Sequence, residues 1–160
     1  MKNTLLAITL MTTAPALAAQ TQTESAKHIQ CSIWTQSNTE YTIKSTHPLE
    51  TTAMLNGTLF HANDLQVKVN GVVTAQDGGT YLTAGALAYY PSDWSLKGTL
   101  TVRNHNNYTR ITPVYASLIV DKDVMTFKAK VNHQALINGK YEVLLNDVIT
   151  TCTLTNPANN

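Results

Sequence analysis

Apolar and polar residues alternate with a period of two along most of this chain, the pattern of strands that bury one face. Ile29, Cys31 and Ile33 alternate with Gln30, Ser32 and Trp34, which sets Trp34 on the outward face. Tyr41 and Ile43 mark a short second strand, and Leu65, Val67 and Val69 mark another. Asn70-Gly71 follows, a hairpin signal because both residues accept a positive φ. The return strand spans 72–76 and stops at Asp77-Gly78-Gly79. Leu100 and Val102 share a face within 99–103, and a strand rich in β-branched residues is expected over 111–120. Pro113 inside it points to an edge strand or a bulge. Asp121-Lys122-Asp123 turns the chain into 124–131, where Met125, Phe127, Ala129 and Val131 share a face. Asn138-Gly139 is a further turn. Tyr141, Val143 and Leu145 then alternate with Glu142 and Leu144, and Asn146-Asp147 leads into 148–154.

No window supports a helix. The stretch 46–59 has room for one turn, but Thr51 and Thr52 resist it and Pro48 and Gly57 punctuate it. Gly85 weakens any helix over 84–88. Many short strands between turn signals predict an all-β fold, an antiparallel β-sandwich of immunoglobulin-like or similar type, with a barrel as second choice.

The start of the chain changes the picture of where the protein works. Lys2, the apolar run around Leu5–Met11 and Ala16-Leu17-Ala18 form a bacterial-style signal peptide over residues 1–18. The run is too short for a membrane span, and no later stretch is long enough for one. A single periplasmic or secreted domain is expected over 19–160, with 19–27 and 156–160 polar and mobile. In an oxidising compartment an isolated pair of cysteines forms a disulfide, so Cys31 and Cys152 are expected to be bonded. Cys31 shares a face with Ile29 and Ile33, and Cys152 with Val148, Thr150 and Leu154. The bond therefore joins the first and last strands at the core.

Charge narrows the partners. Only 13% of the residues are charged and the formal net charge is +1. With no basic run along the sequence, nucleic-acid binding and electrostatic attraction to membranes have no support. No cofactor and no metal site is expected. His28, His47, His61, His105 and His133 form no zinc motif and read as scattered surface residues. Asp121 and Asp123 lack the spacing of a calcium loop and read as a charged turn. G-x-S-x-G and S-x-x-K are absent.

The densest aromatic stretch is Tyr89-Tyr90-Pro91-Ser92-Asp93-Trp94. Aromatics on a loop bring large apolar area at low entropy cost, so Tyr89, Tyr90 and Trp94 are candidate partner-binding residues. The competing reading is a loop that folds its rings over an open end of the sandwich.

Three function classes follow. The first is a non-enzymatic periplasmic or secreted domain that binds a protein or a carbohydrate. The second is a structural subunit of a surface appendage: Gly139-Lys140-Tyr141 followed by alternating residues loosely resembles fimbrial subunits. Donor-strand assembly needs an apolar alternation in an N-terminal extension, and 19–27 is polar. The third is an enzyme without a readable motif.

Overall fold

The computed structural model describes residues 27–62, 65–73, 82–103, 106–115 and 117–155. The expected signal peptide over 1–18, the terminal stretches 19–26 and 156–160, residues 74–79 and His105 lie outside the described residues. Among the described residues, fourteen strands, all in antiparallel pairs, form two sheets, and there is no helix. They are β1 (His28–Trp34), β2 (Glu40–Lys44), β3 (Glu50–Met54), β4 (Gly57–His61), β5 (Gln66–Val69), β6 (Val72–Val73) and β7 (Leu82–Ala84). There follow β8 (Leu87–Tyr90), β9 (Ser95–Gly98), β10 (Leu100–Arg103), β11 (Asn107–Pro113), β12 (Ile119–Asp121), β13 (Val124–Ile137) and β14 (Lys140–Thr155).

The larger sheet runs β6-β5-β2-β1-β14-β13-β11-β10-β7, with β12 beside β13, and curls into a half-barrel. The smaller sheet runs β3-β4-β8-β9. Its Phe60, Leu87 and Leu96 join Ile29, Ile43, Phe127 and Leu154 of the larger sheet in one buried cluster. In β1, β10 and the first part of β13 the inward faces are those that the alternation assigns. Met125, Phe127, Ala129 and Val131 are all buried, as are Leu100 and Val102. Trp34 stands outward and exposed. The chain turns at Asn70-Gly71 and Asn138-Gly139, with positive φ at all four residues.

Cys31 and Cys152 face each other directly in the β1–β14 register and are bonded, with Cα atoms 4.2 Å apart. That spacing belongs to a non-hydrogen-bonded antiparallel pair, where side chains approach most closely. The bond joins the first and last strands within the core.

One ribbon serves both sheets. β7 and β10 pair in the larger sheet, and their continuations β8 and β9 pair in the smaller one. The crossings fall at Gly85 (φ +80°) and Gly98 (φ +103°). A Cβ on Gly85 would lie 2.2 Å from the Thr99 carbonyl oxygen, and one on Gly98 would lie 2.3 Å from that of Ala86. The two bends thus press backbone against backbone, which only glycine permits at these angles.

Several expectations need correction. The single strand expected over 111–120 is two, β11 and β12, separated by a loop. β11 is an interior strand rather than an edge. Pro113 pairs with Ala129 but lies beyond the residues that β10 covers, so its missing N–H breaks no bond to that strand. The stretch 46–59 forms the β3–β4 hairpin, since β-branched Thr51 and Thr52 favour a strand. Lys27 is not part of a mobile start: it is buried, and its carbonyl accepts a 2.7 Å bond from the Leu49 N–H. The two strands expected on either side of Asn146-Asp147 are one, β14, which runs through that pair without a break.

Candidate functional site

The Tyr89–Trp94 segment closes the ribbon beyond its two glycine bends. Tyr89 is buried in the core. Tyr90 is half-buried, and the Lys97 Nζ sits 5.2 Å from its ring centroid, a cation–π arrangement. Asp93 accepts a 2.7 Å bond from the Ser95 hydroxyl and pairs with Lys97 at 3.6 Å. The Ser95 bond, then Lys97, hold its carboxyl below the usual value. Trp94 is 58% exposed and takes φ +50°, a conformation disfavoured for a bulky side chain. Of the three aromatics proposed for partner binding, Tyr89 is the one turned into the core, with 8% of its surface exposed. The exposed surface of this segment is that of Trp94 and the open edge of Tyr90.

A second site lies on the outer face of the larger sheet, and no sequence motif marks it. Folded about Asn138-Gly139 without interruption, the β13–β14 hairpin would place Asn146 opposite the inward Val131. The observed pairing instead puts Val148 opposite Val131, Leu145 opposite His133 and Val143 opposite Gln134. Two extra residues in β14 are accommodated as bulges on either side of Leu145. They bring Leu145 into the core and leave Asn146 and Asp147 exposed. The first bulge also turns the chain over, so Tyr141 and Val143 face outward while Leu145 faces inward. The shared face that their alternation implies is thereby split.

Asp147, at φ +49°, is fixed by Asn132 across the strand pair. Its N–H donates to Asn132 Oδ1 at 3.0 Å, and Asn132 Nδ2 donates to Asp147 Oδ1 at 2.9 Å. Beside this pair, Tyr108 stands opposite Gln134 and Arg110 opposite Asn132. These four side chains line a groove of about 270 Å³. An aromatic ring, two amides and a guanidinium present an apolar flat surface and several planar hydrogen-bonding groups together.

Directly beneath, on the inner face, lies His133. It is fully buried, not a surface residue as expected, because it continues the inward series after Val131. Its Nδ1 is 3.0 Å from the Thr109 hydroxyl oxygen, Nε2 has no hydrogen-bond partner among the described residues, and the Tyr41 ring meets it edge-on with centroids 6.5 Å apart. Burial pushes its pKa down to about 4, with the Tyr108 backbone opposing the shift. The imidazole is therefore neutral at neutral pH.

Among the described residues, no group of three or more His, Cys, Asp or Glu is placed to hold a metal ion. No described helix is long and apolar enough to cross a membrane. Comparison with family models, with curated proteins and with solved structures finds no match.

Proposed function

We propose that this protein is a binding domain that works outside the cytoplasm and takes a carbohydrate on the outer face of its larger sheet, without chemistry on it. The observation that carries this reading is the Tyr108–Arg110–Asn132–Gln134 groove. A sugar ring offers an apolar C–H face and a rim of hydroxyls. A tyrosine ring suits the face, and paired amide and guanidinium groups suit the rim. The groove stands on two paired interior strands, which hold its side chains in position before a ligand arrives. Its volume is that of a small ligand or of one unit of a longer chain. The Cys31–Cys152 bond and the N-terminal pattern support an oxidising compartment.

Titration against a panel of oligosaccharides tests the proposal. Tyr108→Ala and Gln134→Ala should each weaken binding by about 1–2 kcal/mol while the unfolding midpoint stays within a few degrees. Binding that survives both substitutions rejects the groove.

A protein partner at the ribbon tip is the second reading, favoured by Trp94. A large apolar ring held both exposed and at positive φ is a cost that contact with a partner would offset. On that reading, Tyr90→Ala and Trp94→Ala weaken capture of the partner and the groove variants do not.

A further inference from the structure

We infer that the ligand of the outer face is an acidic polysaccharide, one whose carboxylate or sulfate groups are met by a stripe of unpaired cations leading into the groove. The inference rests on the carbohydrate reading of that groove and adds the charge of the ligand and the path it takes.

The chain as a whole is almost neutral, at +1. Its cations are nevertheless not spread evenly. Lys128 faces Thr151, Thr151 faces Ser32, Ser32 faces Thr42, and Thr42 faces Lys68. This single row crosses five strands, with a lysine at each end and three hydroxyls between them, over about 19 Å. From Lys128 the stripe continues to Lys130 along β13, then diagonally to Arg110 on β11 and to Arg103 on β10, opposite Tyr108. The step along β13 is about 6.6 Å and each diagonal step about 7–8 Å in the lattice of a sheet. All five cations occupy positions that alternate with buried neighbours, so all point to the same outer face.

None of the five forms an ion pair with a described residue. Lys128 Nζ instead bonds the Thr151 hydroxyl at 2.6 Å. The carboxylates on this face lie at strand ends or at the bulge: Glu40, Asp121 and Asp147, the last already engaged by Asn132. Like charges gathered on one face repel, and a ligand of opposite charge relieves that cost.

The surface between the cations decides the class of anion. It is a floor of hydroxyls, complementary to sugar hydroxyls as well as to charge. A single-stranded nucleic acid would call for successive aromatic platforms, whereas the aromatics of this face, Trp34, Tyr108 and Tyr141, stand on three different strands and not in succession along the row. No basic run marks the stripe in the sequence, because strands far apart in the chain contribute one or two cations each.

The test uses the intact, oxidised protein and four probes: polygalacturonate, dextran sulfate, neutral dextran and oligothymidylate. Polygalacturonate or dextran sulfate should bind at low salt, and the affinity should fall steeply as salt rises. The double variant Arg110→Gln/Lys130→Gln should weaken that binding at least tenfold with the unfolding midpoint unchanged. Lys97→Gln, on the other sheet, should leave it intact. The two acidic probes separate carboxylate from sulfate recognition. If neutral dextran binds equally well and Tyr108→Ala abolishes it, the groove reading stands and the acidic ligand falls. If none of the three glycans binds, both fall. Oligothymidylate binding as tightly as the acidic glycans, and losing as much in the double variant, would overturn the polysaccharide assignment in favour of any polyanion.

Discussion

Asn132 and Asp147 exchange two hydrogen bonds across β13 and β14, and in doing so hold open the bulge on which the groove stands. Asp147 needs a positive φ there. Asp147→Ala should lower stability by about 1–2 kcal/mol, through the lost side-chain bond and because alanine tolerates that angle less well than aspartate does. Asp147→Gly should cost less than Asp147→Ala, although it removes more atoms, because glycine accepts the angle. Urea unfolding of the two variants gives the order directly. The reverse order would show that the backbone angle carries no cost.

The buried His133 makes stability depend on acid. Its folded pKa of about 4 lies below the ordinary 6.5, so the unfolded chain binds the proton first. The contribution is whole above pH 6.5, declines as pH falls from 6.5 to about 4, and levels off below. The difference in pKa corresponds to about 3 kcal/mol at most. Other groups titrate in the same range, so the reading comes from comparison with His133→Phe. The stability gap between the two proteins should shift by about that amount, in favour of the variant, between pH 7 and pH 4. A gap that does not move with pH counts against the buried neutral imidazole.

The disulfide closes nearly the whole described chain, with its two cysteines 121 positions apart in sequence. Constraint of the unfolded state by a loop of that length is worth about 4–5 kcal/mol in the chain-entropy model, and native bonds of this kind typically give about 2–5. The double variant Cys31→Ala/Cys152→Ala should lose stability in that range in denaturant titration. Non-reducing peptide mapping of the wild type should recover the 31–152 link. Free thiols on both residues in protein from an oxidising compartment would contradict it.

The aromatic segment divides by burial. Tyr89→Ala should destabilise by about 3–5 kcal/mol, as removal of a core ring does. Trp94→Gly should raise stability by about 1 kcal/mol, since it relieves a positive φ and exposes no core. A fall in melting temperature for Trp94→Gly would mean that the ring packs against the fold after all.

At the bends of the ribbon, Gly85→Ala and Gly98→Ala should each cost about 2–4 kcal/mol, from the angle and from the carbonyl that a Cβ would strike. Thermal unfolding checks this. A variant within 1 °C of the wild type would mean that the bend relaxes freely.

Where alternation runs unbroken, the chain declares its own faces. Cys31 and Cys152 could be placed inward, and therefore together, because Ile29, Ile33, Thr150 and Leu154 flank them at even spacing. Met125 through Val131 were equally plain. His133 sits one more step along the same series, so its burial was there to be read; its polar ring hid the pattern. Tyr141, Val143 and Leu145 misled for a different reason. Period two assumes one residue for every residue opposite, and the extra residue at Leu144 reverses the face midway. A clue exists in Asn146, whose amide an uninterrupted hairpin would bury against Val131. The groove itself was invisible because Tyr108 and Gln134 are ordinary outward polar positions, twenty-six residues apart in sequence. Only the register makes them neighbours.

Pairing of β1 with β14 also decides how the molecule can be held. His28 lies opposite Thr155, so the described chain enters and leaves the sheet at the same point. On β13 that point corresponds to Val124, opposite Thr155, eight residues from Asn132. At strand spacing the groove is about 26 Å further along the sheet. A tether attached just beyond His28 or Thr155 would therefore hang the molecule from one pole and leave the groove clear of the support. Immobilised that way, at either point, the protein should keep the affinity it has free in solution.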